Sequence, residues 1–194
     1  PFGLRTVSVD QNSFREPVKY VMPPGIQKQQ QVATTGQQFN ADESSIALQL
    51  CNLEDGDSRA VFKEIGIDMR QYKELKMFIH AESVPDQSTV NDGDLVGYIR
   101  IGSDYVRNYY EYQVPLKITR PGASSDIEIW PEANNLHIIL QDLVDLKSRR
   151  NKDNFPVANM YDGTDRNGRV IRVIGNPNIG EVKNIMLGVL NPNK

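Results

Sequence analysis

The chain contains very few of the residues that identify catalytic or metal-binding proteins. It has a single cysteine, Cys51, so no disulfide can form within its 194 residues and stability must come from packing. The only two histidines, His80 and His137, lack the short spacing of a zinc site. The net charge of −3 offers no basic stripe for nucleic acid. No run of about 18 apolar residues exists that would span a bilayer as a helix.

A recognisable catalytic constellation is also missing from the sequence. Cys51 has no identifiable base, and the serine pairs at 44–45 and 124–125 lie outside a nucleophile-elbow motif. The acidic turns at 54–57 and 92–94 offer oxygen ligands that suit calcium, but neither matches the EF-hand pattern. We therefore predict no catalytic residue, no cofactor and no metal site, and we interpret the acidic turns as ordinary turns.

The first part of the chain differs in composition from the rest. It contains Pro23, Pro24 and Gly25, followed by the glutamine-rich stretch 27–38, which has little to bury. We predict that residues 1–43 form an extended, linker-like segment and that residues 44–194 form one β-sandwich domain. Because the first residue is Pro1 rather than methionine, we also expect the chain to be a piece of a longer protein.

Most of the remaining sequence alternates between apolar and polar residues, with turn signals between the runs. The period changes to a helical one only in "QDLVDLKSRRN", whose basic residues lie at its end. The segment "NMYDGTDRNG" at 159–168 is predicted to be a loop. The pattern predicts a mostly β fold, an antiparallel β-sandwich or jelly roll of the galactose-binding-like type, with one short helix near 141–150.

A tyrosine-rich stretch, "NYYEYQVPLKIT", is the most unusual feature of the body. In a strand, Tyr110 and Tyr112 share one face, and Tyr109 lies on the other with Glu111. Tyrosine favours strands, so sheet packing is the simpler interpretation. The alternative is a contact surface for a neighbouring domain or carrier, because tyrosine combines a flat apolar ring with a polar tip. The candidate surface consists of Asp104, Tyr105, Arg107, Tyr109, Tyr110 and Tyr112.

One basic cluster, "KSRRNK" at 147–152, ends the predicted helix. Acidic residues flank it at Asp142, Asp145 and Asp153, so we interpret it as a solvated helix end. Contact with anionic lipid or lipopolysaccharide is the alternative.

An ordered set of sequence strings resembles the SprA/Sov family of gliding-motility proteins, the giant outer-membrane translocons of the type IX secretion system of Bacteroidetes. The similarity covers nearly the whole chain, and its specificity comes from the order of the strings rather than from any one of them. The strings are "DGDSRAVFKEIGIDMRQYKELKMFIHAE", "DGDLVGYIRIGSDYVRNYYEYQVPLKIT", "NNLHIILQDLVDLKSRRN" and "VIGNPNIGEVKNIMLGVLNP".

The resemblance implies that the chain is a soluble domain inserted between barrel strands of a very large protein. Its partners would be the rest of the barrel in the same chain, the carrier and plug proteins of the outer membrane, and secreted cargo. The domain would be non-enzymatic and would face the extracellular side of the outer membrane, with the periplasmic side as the alternative. We expect the isolated domain to be a monomer.

A function of another class stays open at this point, namely a carbohydrate-binding jelly roll at the cell surface, with or without calcium. Such a module needs aromatic rings on a concave sheet face. The sequence has one tryptophan, Trp130, directly before Pro131, and this residue is poorly suited to form such a sugar-stacking face.

Overall fold

The structure is a computed structural model that describes residues 2–27, 30–32, 38–40, 44–83 and 90–192. The chain divides into two compact units, each built from three separate stretches of sequence. The first unit comprises Pro1–Asn52, Phe78–Asn91 and Lys117–Asn134, and the second comprises Leu53–Met77, Asp92–Leu116 and Asn135–Lys194. The division therefore differs from the predicted one, which placed a single boundary after residue 43.

Strands dominate the regular structure. In chain order they are β1 (Phe2–Ser8), β2 (Gln30–Val32), β3 (Gln38–Asn40), β4 (Ser44–Leu50), β5 (Ser58–Ile67), β6 (Glu74–Met77), β7 (Val96–Gly102), β8 (Tyr109–Pro115), β9 (Leu136–Ile139), β10 (Tyr161–Thr164), β11 (Val170–Ile174) and β12 (Val182–Leu190). The helices are α1 (Val9–Asn12), α2 (Asp126–Ile129) and α3 (Leu140–Lys152), with short 3₁₀ helices at Met69–Gln71 and Glu132–Asn134. Among the described residues, no helix has both the length and the apolar character needed to cross a membrane.

The second unit is organised around a six-stranded sheet with the order β10-β11-β8-β7-β12-β5. Every neighbouring pair of these strands is antiparallel. Strand β8 lies in the interior of the sheet, and its residues 109–114 are buried on both faces. The mostly antiparallel β fold predicted from the sequence is confirmed.

Helix α3 packs against this sheet through strand β11. Its buried leucines Leu143 and Leu146 repeat at helical spacing and form its inner face. Leu146 comes so near to Gly163 that a Cβ on the glycine would lie 2.5 Å from the leucine Cδ1. A larger residue at position 163 would therefore displace the Leu146 side chain. The helix predicted near 141–150 is confirmed.

Strand β10 lies inside the segment 159–168 that the sequence predicted to be a loop. It has four residues, Tyr161–Thr164, and only its pairing with β11 makes it a strand. Its residues Asp162 and Gly163 carry no apolar alternation, so the strand depends on tertiary contacts that local sequence does not reveal.

The first unit contains its own small core, formed by Val18, Tyr20, Ile129 and Trp130. The rings of Tyr20 and Trp130 pack edge to face with centroids 5.9 Å apart. The indole N–H of Trp130 donates to the carbonyl oxygen of Val21 at 2.9 Å. These contacts hold residues that the sequence assigned to a linker.

Strand β1 in the same unit pairs antiparallel with β4 along its full length, from Phe2 opposite Leu50 to Ser8 opposite Ser44. Residues 2–27 therefore differ from the extended segment expected there. Val18 and Tyr20 are buried, and the burial of their apolar side chains stabilises a packed structure in this part of the chain. The glutamine-rich stretch 27–38 lies partly outside the described residues.

Candidate functional site

The tyrosine strand β8 lies at the centre of the six-stranded sheet. Tyr110 is paired with Ile101 on one side and Val173 on the other, and Tyr112 is paired with Ile99 and Ile171. Both tyrosines are only 2% exposed. Their rings thus belong to the packed face of the sheet, as the sheet-packing interpretation predicted.

The hydroxyl groups of these two buried rings have partners. Tyr110 donates to the carbonyl oxygen of Pro177 at 3.3 Å, and burial raises its pKa to about 12. Tyr112 lies 3.0 Å from a carboxylate oxygen of Asp165 and 3.2 Å from the carbonyl oxygen of His137. Burial and the bond to Asp165 raise the pKa of Tyr112 as well. Both phenols therefore stay neutral at physiological pH and serve as hydrogen-bond donors.

The opposite face of β8 carries a buried carboxylate, Glu111. It is 3% exposed, and it receives hydrogen bonds from Arg100 at 2.7 Å, from Gln113 at 2.7 Å and from Arg172 at 3.4 Å. The two arginines come from the strands on either side of β8. A buried charge needs such partners, so the cluster specifies the register of the three central strands.

Arg100 also stacks on aromatic rings of this face. Its guanidinium carbon lies 4.4 Å from the ring centroid of Tyr109 and 5.2 Å from that of Tyr98. Tyr109 shares the face with Glu111, as predicted from the alternation. It is 4% exposed, because the arginine covers it.

The loop between β7 and β8 is held by the side chain of Asp104. One carboxylate oxygen accepts the backbone N–H groups of Val106 at 2.8 Å, Arg107 at 2.5 Å and Asn108 at 3.1 Å. The other accepts the Asn108 side-chain amide at 2.8 Å. Burial alone would raise the pKa of Asp104, but these hydrogen bonds outweigh it and lower the pKa to about 2. The Asp104 side chain therefore fixes the conformation of this loop through its hydrogen bonds.

The outer side of this loop is open to solvent. Val106 is 62% exposed and Arg107 is also exposed, while Tyr105 stacks on Phe62 of β5 with ring centroids 4.6 Å apart. Of the six candidate residues, Asp104, Tyr105 and Arg107 thus lie at the surface of the second unit, and the three strand tyrosines lie inside it. That the surface residues contact a partner stays a prediction.

Phe62 was not among the candidates, although its ring is 54% exposed. Its sequence context, "AVFKEIG", reads as an ordinary strand. Only the sheet order reveals that this strand lies at an edge and that Phe62 meets Tyr105 across the sheet surface.

The basic cluster at 147–152 differs from the predicted solvated helix end. Arg150 is 1% exposed and donates to the carbonyl oxygen of Gly175 at 2.5 Å, while Lys147 donates to that of Pro177 at 2.8 Å. Burial, with a contribution from Arg150, lowers the pKa of Lys147. Lys147 and Arg150 thus bind the loop at 175–177 to α3 through hydrogen bonds. Within the cluster, only Arg149 and Lys152 are exposed cations.

Beside this helix lies an open groove of about 470 Å³, lined by Tyr110, Val144, Lys147 and Asn178 among others. Two cations line it, and both have partners: Lys147 donates to the carbonyl oxygen of Pro177, and Arg70 forms an ion pair with Asp68 at 2.6 Å. The groove therefore contributes no recognisable ligand chemistry to the candidate site.

Both histidines have hydrogen-bond partners inside the chain. His80 lies 2.8 Å from the carbonyl oxygen of Ile129 and 3.2 Å from a carboxylate oxygen of Glu82, and His137 lies 2.6 Å from Glu74. Within the described ranges, no group of three or more His, Cys, Asp or Glu residues is placed to hold a metal ion. Trp130, which a sugar-binding face would expose, is 5% exposed.

Comparison with known protein families identifies the family of the chain. A sequence model of the SprA_N family, described as motility related/secretion protein, matches residues 2–194. No curated protein matches the chain. The match extends over both units and the tyrosine strand, and it confirms the resemblance found in the sequence strings. The chain therefore belongs to the SprA_N family of motility-related and secretion proteins.

Proposed function

We propose that the chain is a non-catalytic domain of a giant outer-membrane translocon of the type IX secretion system in Bacteroidetes. In this role it supports protein secretion and gliding motility through structure, gating or partner docking. The observation that carries the proposal is the family match over residues 2–194. The translocon, its membrane and its secretion type come from the sequence resemblance to the SprA/Sov family.

The surface of the second unit supports a docking role. The loop that presents Tyr105 and Arg107 is fixed by four hydrogen bonds to Asp104, so little ordering entropy remains to be lost on binding. A half-buried aromatic ring beside an exposed arginine is a composition that protein interfaces favour. The carrier, plug and cargo proteins of the secretion system are the proposed partners.

The domain is proposed to lie on the extracellular side of the outer membrane, with the periplasmic side as the alternative. We propose no enzymatic activity, because the sequence offers no paired acid and base and no activated nucleophile. The carbohydrate-binding alternative finds no specific observation in its favour, since Trp130 belongs to the core of the first unit.

The experiment that tests the proposal is an immunoblot of outer-membrane fractions with antibody raised against this domain. The expected result is a band many times larger than 21.9 kDa in the outer membrane. Protease treatment of whole cells then removes the epitope if the domain is extracellular and spares it if it is periplasmic. A band near the mass of the domain in the soluble fraction contradicts the proposal, and sugar and calcium titrations become the next measurements.

A further inference from the structure

The six-stranded sheet ends at strand β5, whose outer side pairs with no strand among the described residues. On its inner side, β5 pairs with β12 in unbroken register from Ser58 to Glu64. The register then shifts, so that Ile65 and Gly66 oppose Lys183 alone. The run 58–64 is therefore a regular, open edge, and its outward N–H and C=O groups are a template for another strand.

The other edge of the sheet, β10, is closed to such pairing. It has only four residues, and its Asp162 lies 3.1 Å from Arg172 in an ion pair. Its Gly163 lies under Leu146 of α3. Short length is one device by which natural sheets prevent pairing, and the regular run of β5 is longer and contains no proline.

The two faces of β5 at this edge have opposite chemistry. Phe62 shares a face with Arg100 and Glu111, through the register of β12 and β7, and its exposed ring stacks on Tyr105. Glu64, which is exposed, lies on the same face as Phe62. Arg59 and Lys63 alternate onto the other face, and both are exposed, with Arg59 also 3.3 Å from Asp57 in a solvent-exposed ion pair. The edge thus presents an aromatic ring beside one carboxylate on one face and the cations Arg59 and Lys63 on the other.

We propose that β5 binds an extended segment of a partner protein as an additional antiparallel strand of this sheet. The segment carries apolar residues opposite Phe62 and Ala60 and acidic residues opposite Lys63 and Arg59. Main-chain hydrogen bonds supply the affinity, and the alternating side chains supply the specificity. Cross-strand pairs of opposite charge stabilise the added strand, and pairs of like charge destabilise it.

The charges disfavour a second copy of this chain in the register centred on Val61, whereas the register centred on Phe62 has no such conflict and is tested by the sedimentation measurement below. In a β5–β5 pair centred on Val61, Arg59 of one copy faces Lys63 of the other. Like charges directly opposite each other are unfavourable. An acidic strand has no such conflict in the register that places its apolar residue on Phe62.

This inference rests on the proposed function only for the origin of the partner, which would be a component of the secretion system. Strand addition by the purified chain and the location of the domain in the outer membrane are separate observations. Either one can fail while the other holds.

The probe for the test is a fluorescent peptide with the sequence Thr-Glu-Phe-Thr-Val-Glu-Thr, flanked by glycine and serine. It places glutamates opposite Lys63 and Arg59 and apolar residues opposite Phe62 and Ala60. A second peptide has proline in place of the central threonine, and a third has lysines in place of both glutamates. Binding to the purified chain is followed by fluorescence anisotropy at low salt.

We expect the acidic peptide to bind and the proline and lysine peptides to bind at least about tenfold more weakly. The double variant Arg59→Glu, Lys63→Glu should reverse the preference, so that the lysine peptide becomes the better ligand. The control is Lys19→Glu, Lys152→Glu, which makes the same change of charge at exposed positions elsewhere. It should leave the preference unchanged, and near-ultraviolet circular dichroism checks that each variant is folded.

Amide hydrogen exchange identifies the binding edge. We expect the acidic peptide to protect amides of 58–64 and to leave those of 161–164 unchanged. The proposal is overturned if no peptide binds, if the control variant reverses the preference as well, or if protection appears outside β5. It is also overturned in favour of a second copy if sedimentation shows a dimer of the chain that Phe62→Lys dissociates.

Discussion

The two faces of strand β8 use the same kind of residue in different ways. On the face toward α3, Tyr110 and Tyr112 are paired with isoleucine and valine. The hydroxyl group of Tyr110 donates to one carbonyl oxygen, and that of Tyr112 lies within hydrogen-bond distance of two acceptors. On the other face, Tyr109 lies under the guanidinium of Arg100, beside the carboxylate of Glu111. One face is held by apolar burial, and the other by charges and a cation–π contact.

The difference shows that tyrosine content alone does not indicate a binding platform. Position relative to the strands and helix decides what each ring does, and the ring that remains at the surface, Tyr105, lies just before the strand. Substitutions that affect only one face, or only the loop, separate these contributions.

The largest effect is expected from Tyr110→Ala on the apolar face. Removing a ring that is 2% exposed leaves a cavity, and we expect a loss of about 3–5 kcal/mol in the free energy of unfolding. Urea unfolding measures it. Tyr72→Ala, at a position that is 50% exposed, is the matched control and should change little. Equal losses in the two variants would show that Tyr110 is not part of the core.

A smaller loss is expected from Glu111→Gln on the charged face. The amide cannot hold both arginines as the carboxylate does, and the expected cost is about 2 kcal/mol because both arginines reach solvent. The measurement is again urea unfolding. Glu181→Gln, which breaks an exposed pair with Lys183, should leave the midpoint unchanged. A Glu111→Gln protein as stable as the unchanged chain contradicts the role given to this cluster.

The variant Tyr112→Phe isolates one hydrogen bond on the apolar face. The ring stays in place, but Asp165 and the carbonyl of His137 lose their donor, so we expect a cost of about 1–2 kcal/mol. In the ultraviolet titration of the unchanged chain, Tyr112 should ionise only well above the ordinary tyrosine range, because burial raises its pKa. Unchanged stability would mean that water replaces the lost donor.

The smallest effect concerns acid stability, through Asp104. Its pKa of about 2 in the folded chain lies below the ordinary value of 3.8. Its ionised form therefore contributes stability at and above pH values near 4, and this contribution is lost as the pH falls toward 2. Melting temperatures between those limits should fall less steeply for Asp104→Asn than for the unchanged chain. Identical slopes would show that the carboxylate does not hold the loop.

Alternation in the sequence predicted much of the second unit. Strands β7, β8, β11 and β12 were predicted from runs rich in β-branched and aromatic residues between turn residues, and helix α3 shows its period through Leu143 and Leu146. The faces of Tyr109 and Tyr110 follow from the same alternation. Edge strand β10 was missed because its short polar sequence pairs only through tertiary contact.

The first unit was less predictable. Its core joins Val18 and Tyr20 to Ile129 and Trp130, which lie more than a hundred residues later in the chain, as the bond between Trp130 and Val21 shows. Contacts between residues so distant in sequence produce no local periodic pattern of apolar residues. The same holds for the buried Arg150 and for the meeting of Phe62 with Tyr105, since both depend on which segments the fold brings together.

The most direct test of the account is protein export in cells whose full-length protein carries Tyr105→Ala and Arg107→Ala. Arg107 is exposed, and Tyr105 is half-buried against the exposed residue Phe62, so both lie outside the packing of β8 and the protein should reach normal levels in the outer membrane. The account predicts that export of cargo falls severalfold, while Tyr72→Ala with Lys152→Ala leaves it unchanged. Normal export by the Tyr105 and Arg107 variant, at normal protein level, would contradict the assignment of this surface to partner contact.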